Sequence, residues 1–250
     1  MGDYQVEASP RVLAHVGGVL YLIIIIGGIF GEAFIRNRII VSGDAAATAA
    51  NLRSLESLWR FGIASEIFML TCAVVMAWIF LVLLRPVSRG LAWLATFFHL
   101  VSIALEAANE LRLFQALLPL GNDEYLKAFE PEQLDAMMSL SLRSYSFGFN
   151  VSLIFFGWFC IIAGHLIFRS DYLPKVIGVL MQVAGLSYLI NSFALIIAPS
   201  FIRWLGYSLM APVLVGEASL CLWLLLKGVN VERWKKQAST ELTRSAAAVI

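Results

Sequence analysis

Six long apolar stretches constrain the fold of this chain more than any other feature. They cover residues 12–33, 61–84, 90–112, 147–168, 176–198 and 204–227. At about 1.5 Å per residue, each is long enough to cross roughly 30 Å of hydrocarbon as an α-helix. Only 14% of the 250 residues are charged, against about a quarter in soluble domains, which excludes a soluble globular protein. We predict an all-α fold, a polytopic membrane protein with a bundle of six transmembrane helices.

The domain organisation follows from these stretches. We expect a single transmembrane domain over residues 12–230, with a short segment, 1–11, before it. Residues 231–250 form a small, polar and weakly patterned tail, which we predict to be disordered. The first stretch, about 22 residues long, is too long for the core of a signal peptide, so we expect it to stay as the first span. A membrane β-barrel is excluded, because residues 21–26 are continuously apolar instead of alternating.

The two long connections on one side of the bundle carry amphipathic patterns. Asp44 is a candidate N-cap for a helix that runs through residues 45–60 into the second span. Its apolar face is formed by Leu52, Leu55, Leu58 and Trp59. Pro131 is a candidate first residue of a second helix, whose apolar face is formed by Leu134, Met137, Met138 and Leu142. We predict two outer interfacial helices that lie on the membrane surface or cap the bundle.

The distribution of lysine and arginine predicts the orientation. Nine basic residues lie on the side of the two termini, in short connections and in the tail: Arg11, Arg85, Arg89, Arg169, Lys175, Lys227, Arg233, Lys235 and Lys236. The other side has seven, spread over much longer connections: Arg36, Arg38, Arg53, Arg60, Lys127, Arg143 and Arg203. Short loops rich in Lys and Arg stay in the cytoplasm, so we expect both termini to be cytoplasmic in a bacterial plasma membrane.

Several classes of function lack a signal in this sequence. The formal charge of +1 gives no large basic surface, so we expect no nucleic acid as a partner. Cys72, Cys160 and Cys221 are far apart within apolar stretches, which argues against a disulfide framework or a CxxC metal site. Hydrolase, zinc-protease and phosphate-loop motifs do not occur. The pair Gly178 and Gly185 indicates close helix packing.

The few polar residues within the spans carry the functional signal. All five aspartates fall in connections or termini, whereas all three histidines and five of the twelve glutamates fall within the spans. Counted from the middle of each span, most of these acids lie in the outer half. A carboxylate inside a bilayer costs a few kcal/mol even on lenient scales, so each should face the interior of the bundle and find a partner.

The third span has the strongest single pattern. His99, Glu106 and Glu110 are seven and four residues apart and therefore share one helix face. Arg112, near the outer end, is expected to neutralise a neighbouring carboxylate. If other spans contribute to this face, the bundle encloses an acidic pocket open to the outside. Its candidate residues are Glu66, His99, Glu106, Glu110, Asn109, Glu32, Asn150, Asn191 and Glu217.

Such a pocket suits a small cation, a protonated amine, a divalent metal or proton exchange. Our first hypothesis is therefore the binding or transport of a small cationic or protonatable ligand. A second is a membrane enzyme or cofactor protein: His15 and His165 fall at a similar depth and would suit haem or a shared metal, although no cofactor is otherwise indicated. A third is a structural or sensory subunit whose buried polar groups only hold helices in register. The lipid bilayer is the expected partner, and a homo-oligomer stays open.

Several short segments of the sequence, taken together, are similar to those of a known family. They are Arg11-Val12 with 18–23, 43–51 with 56–60, 167–170 with Leu173-Pro174, 188–193, and Glu217 with 222–224. Over roughly residues 11–230 the chain resembles the bacterial membrane family called domain of unknown function 4386. This resemblance implies an integral membrane protein with six spans. It assigns no activity and no functional residue.

Overall fold

The fold is helical throughout the part of the chain that the structure describes. The computed structural model describes residues 9–247, and their side chains except those of 201–207, 242 and 244–247. We number the helices α1 Pro10–Phe30, α2 Ala45–Ser54, α3 Glu56–Leu84, α4 Arg89–Asn109, α5 Leu111–Gln115, α6 Pro131–Arg169, α7 Lys175–Ile197, α8 Pro199–Leu226 and α9 Val231–Ala247. A π-helical turn, Gly31–Arg36, and a short α-helical turn, Asn37–Ile39, extend α1. Turns of 3-10 helix lie at Leu118–Leu120 and Glu124–Ala128.

Six helical segments between residues 9 and 247 are long and apolar enough to cross a membrane. They are Pro10–Ile39, Glu56–Leu84, Arg89–Leu120, Pro131–Arg169, Lys175–Ile197 and Ser208–Leu226. This confirms the predicted fold class. Several of them continue past the predicted ends, and α6 begins at Pro131, so the second amphipathic segment is the first part of the fourth spanning helix.

The chain forms two compact units. Unit 1 contains the residues up to Leu22, Ala73–Ser102, and the residues from Leu153 onward. Unit 2 contains Ile23–Cys72 and Ile103–Ser152.

Glycines bring the helices of unit 1 into close contact. A Cβ atom on Gly178 of α7 would lie 2.6 Å from the carbonyl oxygen of Gly164 on α6. One on Gly185 would lie 2.6 Å from the carbonyl oxygen of Gly157. Real Cβ atoms do not come this close, so the two backbones meet where side chains are missing, as small residues allow in membrane helices. The close packing predicted from the glycine spacing on α7 is confirmed.

The amphipathic segments supply the core of unit 2. Asp44 caps α2 as predicted, because its carboxylate accepts a hydrogen bond of 2.9 Å from the Ala47 amide. Leu52 and Trp59 are buried, and the Trp59 indole donates to the carbonyl oxygen of Leu113 at 3.2 Å. The core cluster consists of Ile35, Ile39, Ala49, Leu52, Trp59, Ile63, Leu113, Ala116, Leu117, Met138, Leu142 and Tyr145. Met137, predicted on the same face as Met138, is exposed instead.

Residues 231–247 form the helix α9 where the sequence predicted a disordered tail. Trp234 and Ala238 are buried one helical turn apart, and the Trp234 indole donates to the carbonyl oxygen of Leu83 at 3.1 Å. The tail is polar on average, but these two positions give it an apolar stripe that a mean composition conceals. Residues 248–250 of the predicted tail and residues 1–8 of the predicted N-terminal segment lie outside the described residues.

Candidate functional site

The candidate site is built around Arg36, which the π-helical turn Gly31–Arg36 places at the end of the first membrane segment. Its guanidinium donates from Nε to Glu32 Oε2 at 2.7 Å and from Nη1 to Glu66 Oε1. Gly31 leaves room for this pair, since a Cβ atom there would lie 3.2 Å from Glu66 Oε1. A π-helical turn widens the helix locally, and such turns are frequent at functional sites.

Glu66, on α3, joins Arg36 to α6. Its second carboxylate oxygen accepts a hydrogen bond of 3.0 Å from the Tyr145 hydroxyl, which also accepts one of 3.3 Å from Arg36 Nη1. The side chains of Arg36 and Glu66 are only 17% and 12% exposed. Three helical segments are therefore joined by a charged and largely buried hydrogen-bond network.

Two further carboxylates lie close to this network. Glu106 and Glu110, on and just after α4, both have Glu66 and Arg36 as electrostatic neighbours. Glu110 is 2% exposed, and within residues 9–247 the side chain beside its carboxylate is another carboxylate, that of Glu66, with no separate donor group. We call Glu66, Glu106 and Glu110 the carboxylate cluster. Among the described residues, the Arg36 guanidinium is thus the cation beside four carboxyl groups, those of Glu32 and the carboxylate cluster, so acidic groups are in excess.

The cation of the site is Arg36, and not Arg112 as the sequence suggested. The Arg112 side chain is exposed, and its Nη1 donates to Gln115 Oε1 at 3.1 Å. The physical reason is helical geometry, because Arg112 lies two residues after Glu110 and residues two apart on a helix do not face each other. The helix face that carries Glu106 and Glu110 therefore does not carry Arg112.

Asn109 acts as a structural tie beside the cluster. Its Nδ2 donates to the carbonyl oxygen of Tyr145 at 2.8 Å. Gly148 makes this possible, because a Cβ atom there would lie 2.0 Å from Asn109 Oδ1. Asn109 thus holds the segment of α6 that carries Tyr145.

The predicted pocket residues belong to both units, and their convergence on one pocket stays a prediction. Glu32, Asn109 and Asn150 belong to unit 2 with the carboxylate cluster, whereas His99, Asn191 and Glu217 belong to unit 1. The Glu32 side chain is exposed and pairs with Arg36, and Asn150 donates to the carbonyl oxygen of Ser146 on its own helix.

In unit 1, two of the predicted residues lie among aromatic side chains. Glu217 accepts a hydrogen bond of 2.5 Å from the Tyr188 hydroxyl. His99 stacks on Phe159 with 4.2 Å between ring centroids, and its Nδ1 has no hydrogen-bond partner in the described part of the chain. These two residues are buried groups of unit 1, whereas the carboxylate cluster belongs to unit 2.

The metal hypotheses receive little support from the described residues. No group of three His, Cys, Asp or Glu side chains in residues 9–247 is placed to hold a metal ion. His15 uses Nδ1 in a hydrogen bond of 2.9 Å to the carbonyl oxygen of Leu225. The pairing of His15 with His165 around haem or a metal stays a prediction.

Sequence reasoning missed Arg36 and Tyr145. Arg36 was counted with the outer loop because it follows the first apolar stretch, but it lies four residues after Glu32, a spacing that pairs charges on a helix. Tyr145 carried no such signal, because a tyrosine near the end of a span is common at the membrane interface.

Comparisons with known proteins relate the chain to proteins without a described activity. The model of the family described as "Domain of unknown function (DUF4386)" matches residues 16–228. A protein of Archaeoglobus fulgidus described as "Uncharacterized protein" is 27% identical over 153 residues, which are 58% of this chain and 70% of the relative. No solved structure gives a significant match.

Proposed function

Because the chain belongs to the DUF4386 family, whose description names no activity, we propose a function from its own side chains. We propose that the protein binds or transports a small cationic or protonatable ligand at the carboxylate cluster of Glu66, Glu106 and Glu110. The observation that carries this proposal is the excess of acid around a single guanidinium. Arg36 already pairs with Glu32 and Glu66, while the buried Glu110 carboxylate lies beside the Glu66 carboxylate with no separate donor group within the described residues.

The chemistry of a buried carboxylate supports this assignment. An ionised carboxylate without a partner costs several kcal/mol in a low-dielectric interior. A bound cation or proton removes that cost, and the intramembrane position makes an ionisable residue a functional candidate by default. The scarcity of metal-binding geometry favours a proton or an ammonium-like cation over a divalent metal.

A thermal-shift titration with methylammonium tests the proposal. The protein is purified in detergent and heated with increasing methylammonium chloride, while N-methyl-D-glucamine chloride keeps the ionic strength constant. A ligand that binds only the folded state raises the melting temperature with concentration. We expect such a rise for the wild type. Glu110→Gln removes one carboxylate of the proposed site, and we expect its apparent binding to be at least about tenfold weaker, which corresponds to about 1.4 kcal/mol.

Two controls make this experiment decisive. Glu132→Gln changes an exposed carboxylate in the first turn of α6 and should respond as the wild type does. Methanol, a neutral molecule of similar size, should give no comparable rise. An equal response of Glu110→Gln and the wild type, or an equal effect of methanol, would contradict the proposal.

We further infer that the protein lies in the plasma membrane with both termini in the cytoplasm. An even number of spans leaves both termini on one side, and Arg233, Lys235 and Lys236 are exposed on α9, in line with the positive-inside rule. A C-terminal fusion to alkaline phosphatase, which is active only after export, should be inactive. A fusion after residue 123, between the third and fourth membrane segments, should be active, and the reverse pattern would exclude this orientation.

A further inference from the structure

A half-open cavity of about 440 Å³ lies in unit 2, and no residue of the carboxylate cluster lines it. The ends of two membrane segments and the connection between them form its walls. It is lined by Arg112, Gln115, Leu118, Pro119, Tyr125, Leu126, Phe129, Met137, Leu140, Ser141 and Ser144. A volume of this order is within the range of small-molecule sites, roughly 300–1,000 Å³.

One wall of the cavity is polar and positively charged. Arg112 has Gln115 as its hydrogen-bond partner, and no carboxylate pairs with it among residues 9–247. Ser144 adds a hydroxyl group from α6, whereas the Ser141 hydroxyl donates to the carbonyl oxygen of Met137 on its own helix at 3.0 Å. An arginine without a counter-ion in such a cavity suits a phosphate group, which guanidinium binds through two parallel hydrogen bonds.

The other walls are apolar and exposed. Leu118, Phe129, Met137 and Leu140 are large hydrophobic side chains with at least two fifths of their surface open, and Leu140 is 66% exposed. Leu118 and Leu140 belong to segments that are apolar enough to cross a membrane. An acyl chain that covers the exposed apolar surface at the end of a spanning helix gives that surface the hydrocarbon environment that spanning helices normally have.

A cavity with one positively charged wall and otherwise apolar walls suits an amphiphile that has an anionic headgroup and an apolar tail. We propose that the cavity binds one phospholipid with an anionic headgroup, its phosphate at Arg112 and its acyl chain along Leu118 and Leu140. Asp123 lies beside Tyr125 but is not part of the lining, so the charge inside the cavity is that of Arg112. Basic side chains next to spanning helices attract anionic lipid headgroups.

Native mass spectrometry of the protein from mixed nanodiscs tests this lipid site. The nanodiscs contain equal amounts of phosphatidylglycerol and phosphatidylcholine of the same acyl composition. We expect the released wild-type protein to retain one phosphatidylglycerol in preference to phosphatidylcholine. In Arg112→Gln this preference should fall by about fivefold, the factor that one basic residue contributes near an anionic lipid surface.

Arg143→Gln is the matched control, because Arg143 is an exposed arginine on α6 that does not line the cavity. It should keep the wild-type preference. Ser141→Phe leaves Arg112 in place but fills the cavity, and it should reduce the number of retained lipids of either kind. The proposal is overturned if Arg112→Gln retains phosphatidylglycerol as the wild type does, or if Arg143→Gln loses it equally.

Discussion

Replacing Arg36 with methionine is expected to destabilise the protein by about 3–5 kcal/mol, the range seen when one partner of a buried ion pair is removed. The arginine side chain is 17% exposed and donates to Glu32, Glu66 and Tyr145. Without it, Glu66 remains largely buried next to two other carboxylates and has no cation. The loss should appear as a lower free energy of unfolding in mixed micelles with increasing dodecyl sulfate, followed by tryptophan fluorescence.

Arg60→Met provides the matched control for this variant. Arg60 forms an ion pair with Glu56 on the same membrane helix as Glu66, but their side chains are 58% and 40% exposed. Exposed pairs contribute roughly 0–1 kcal/mol, so this substitution should have a small effect. Combining Arg36→Met with Glu66→Gln should recover part of the loss, since the uncompensated charge is then gone. Equal effects of Arg36→Met and Arg60→Met would show that the network does not stabilise unit 2.

Gly178→Ala is expected to give the second large effect, a destabilisation of about 1–3 kcal/mol or more from overpacking. The added Cβ atom would lie 2.5 Å from the Phe168 amide nitrogen and 2.6 Å from the Gly164 carbonyl oxygen. Both are backbone atoms, so no side chain can rotate away, and α6 and α7 would have to separate. The same unfolding assay measures the change.

Gly28→Ala is the control for this substitution. Nothing lies within 4 Å of a Cβ atom built on Gly28. Alanine is favoured over glycine inside a helix by about 0.5–1 kcal/mol, so this variant should be unchanged or slightly more stable. A loss of stability that is the same for both glycines would mean that helix contact does not explain the effect at Gly178.

The carboxylate cluster is a place where the protein departs from the rule that buried charges are paired. Burial of the Glu110 carboxylate beside Glu66 costs stability, and local departures of this kind are expected at functional sites. This is why the cation titration and the Arg36 variant address different properties. The first measures what the excess acid binds, and the second measures what the single guanidinium stabilises.

The sequence predicted part of the candidate site. Glu106 and Glu110 share a helix face because they are four residues apart, and such a face is fixed by helical geometry alone. The same reasoning included His99, which belongs to unit 1. Depth along a span gives one coordinate only, so residues at similar or neighbouring depths were grouped, and some of them belong to unit 1 and others to unit 2.

Arg36 and α9 show the other limit of sequence reasoning. Arg36 was assigned to a loop because the apolar stretch had ended, whereas the helical path continues through a π-helical turn to Ile39. The tail was expected to be disordered from its mean polarity, but two residues on one stripe, Trp234 and Ala238, are enough to give it a buried face.

The sequence by itself determined the six membrane segments, the N-cap at Asp44 and the close approach at the glycines of α7. These properties depend on hydrophobicity and on neighbours along the chain, which add up locally. Only the tertiary structure decided that Arg36 and Tyr145 meet Glu66, and that the buried Glu110 carboxylate lies beside Glu66. Contacts between side chains of different helices depend on how each helix is rotated about its own axis, and the packing of the surrounding helices sets that rotation.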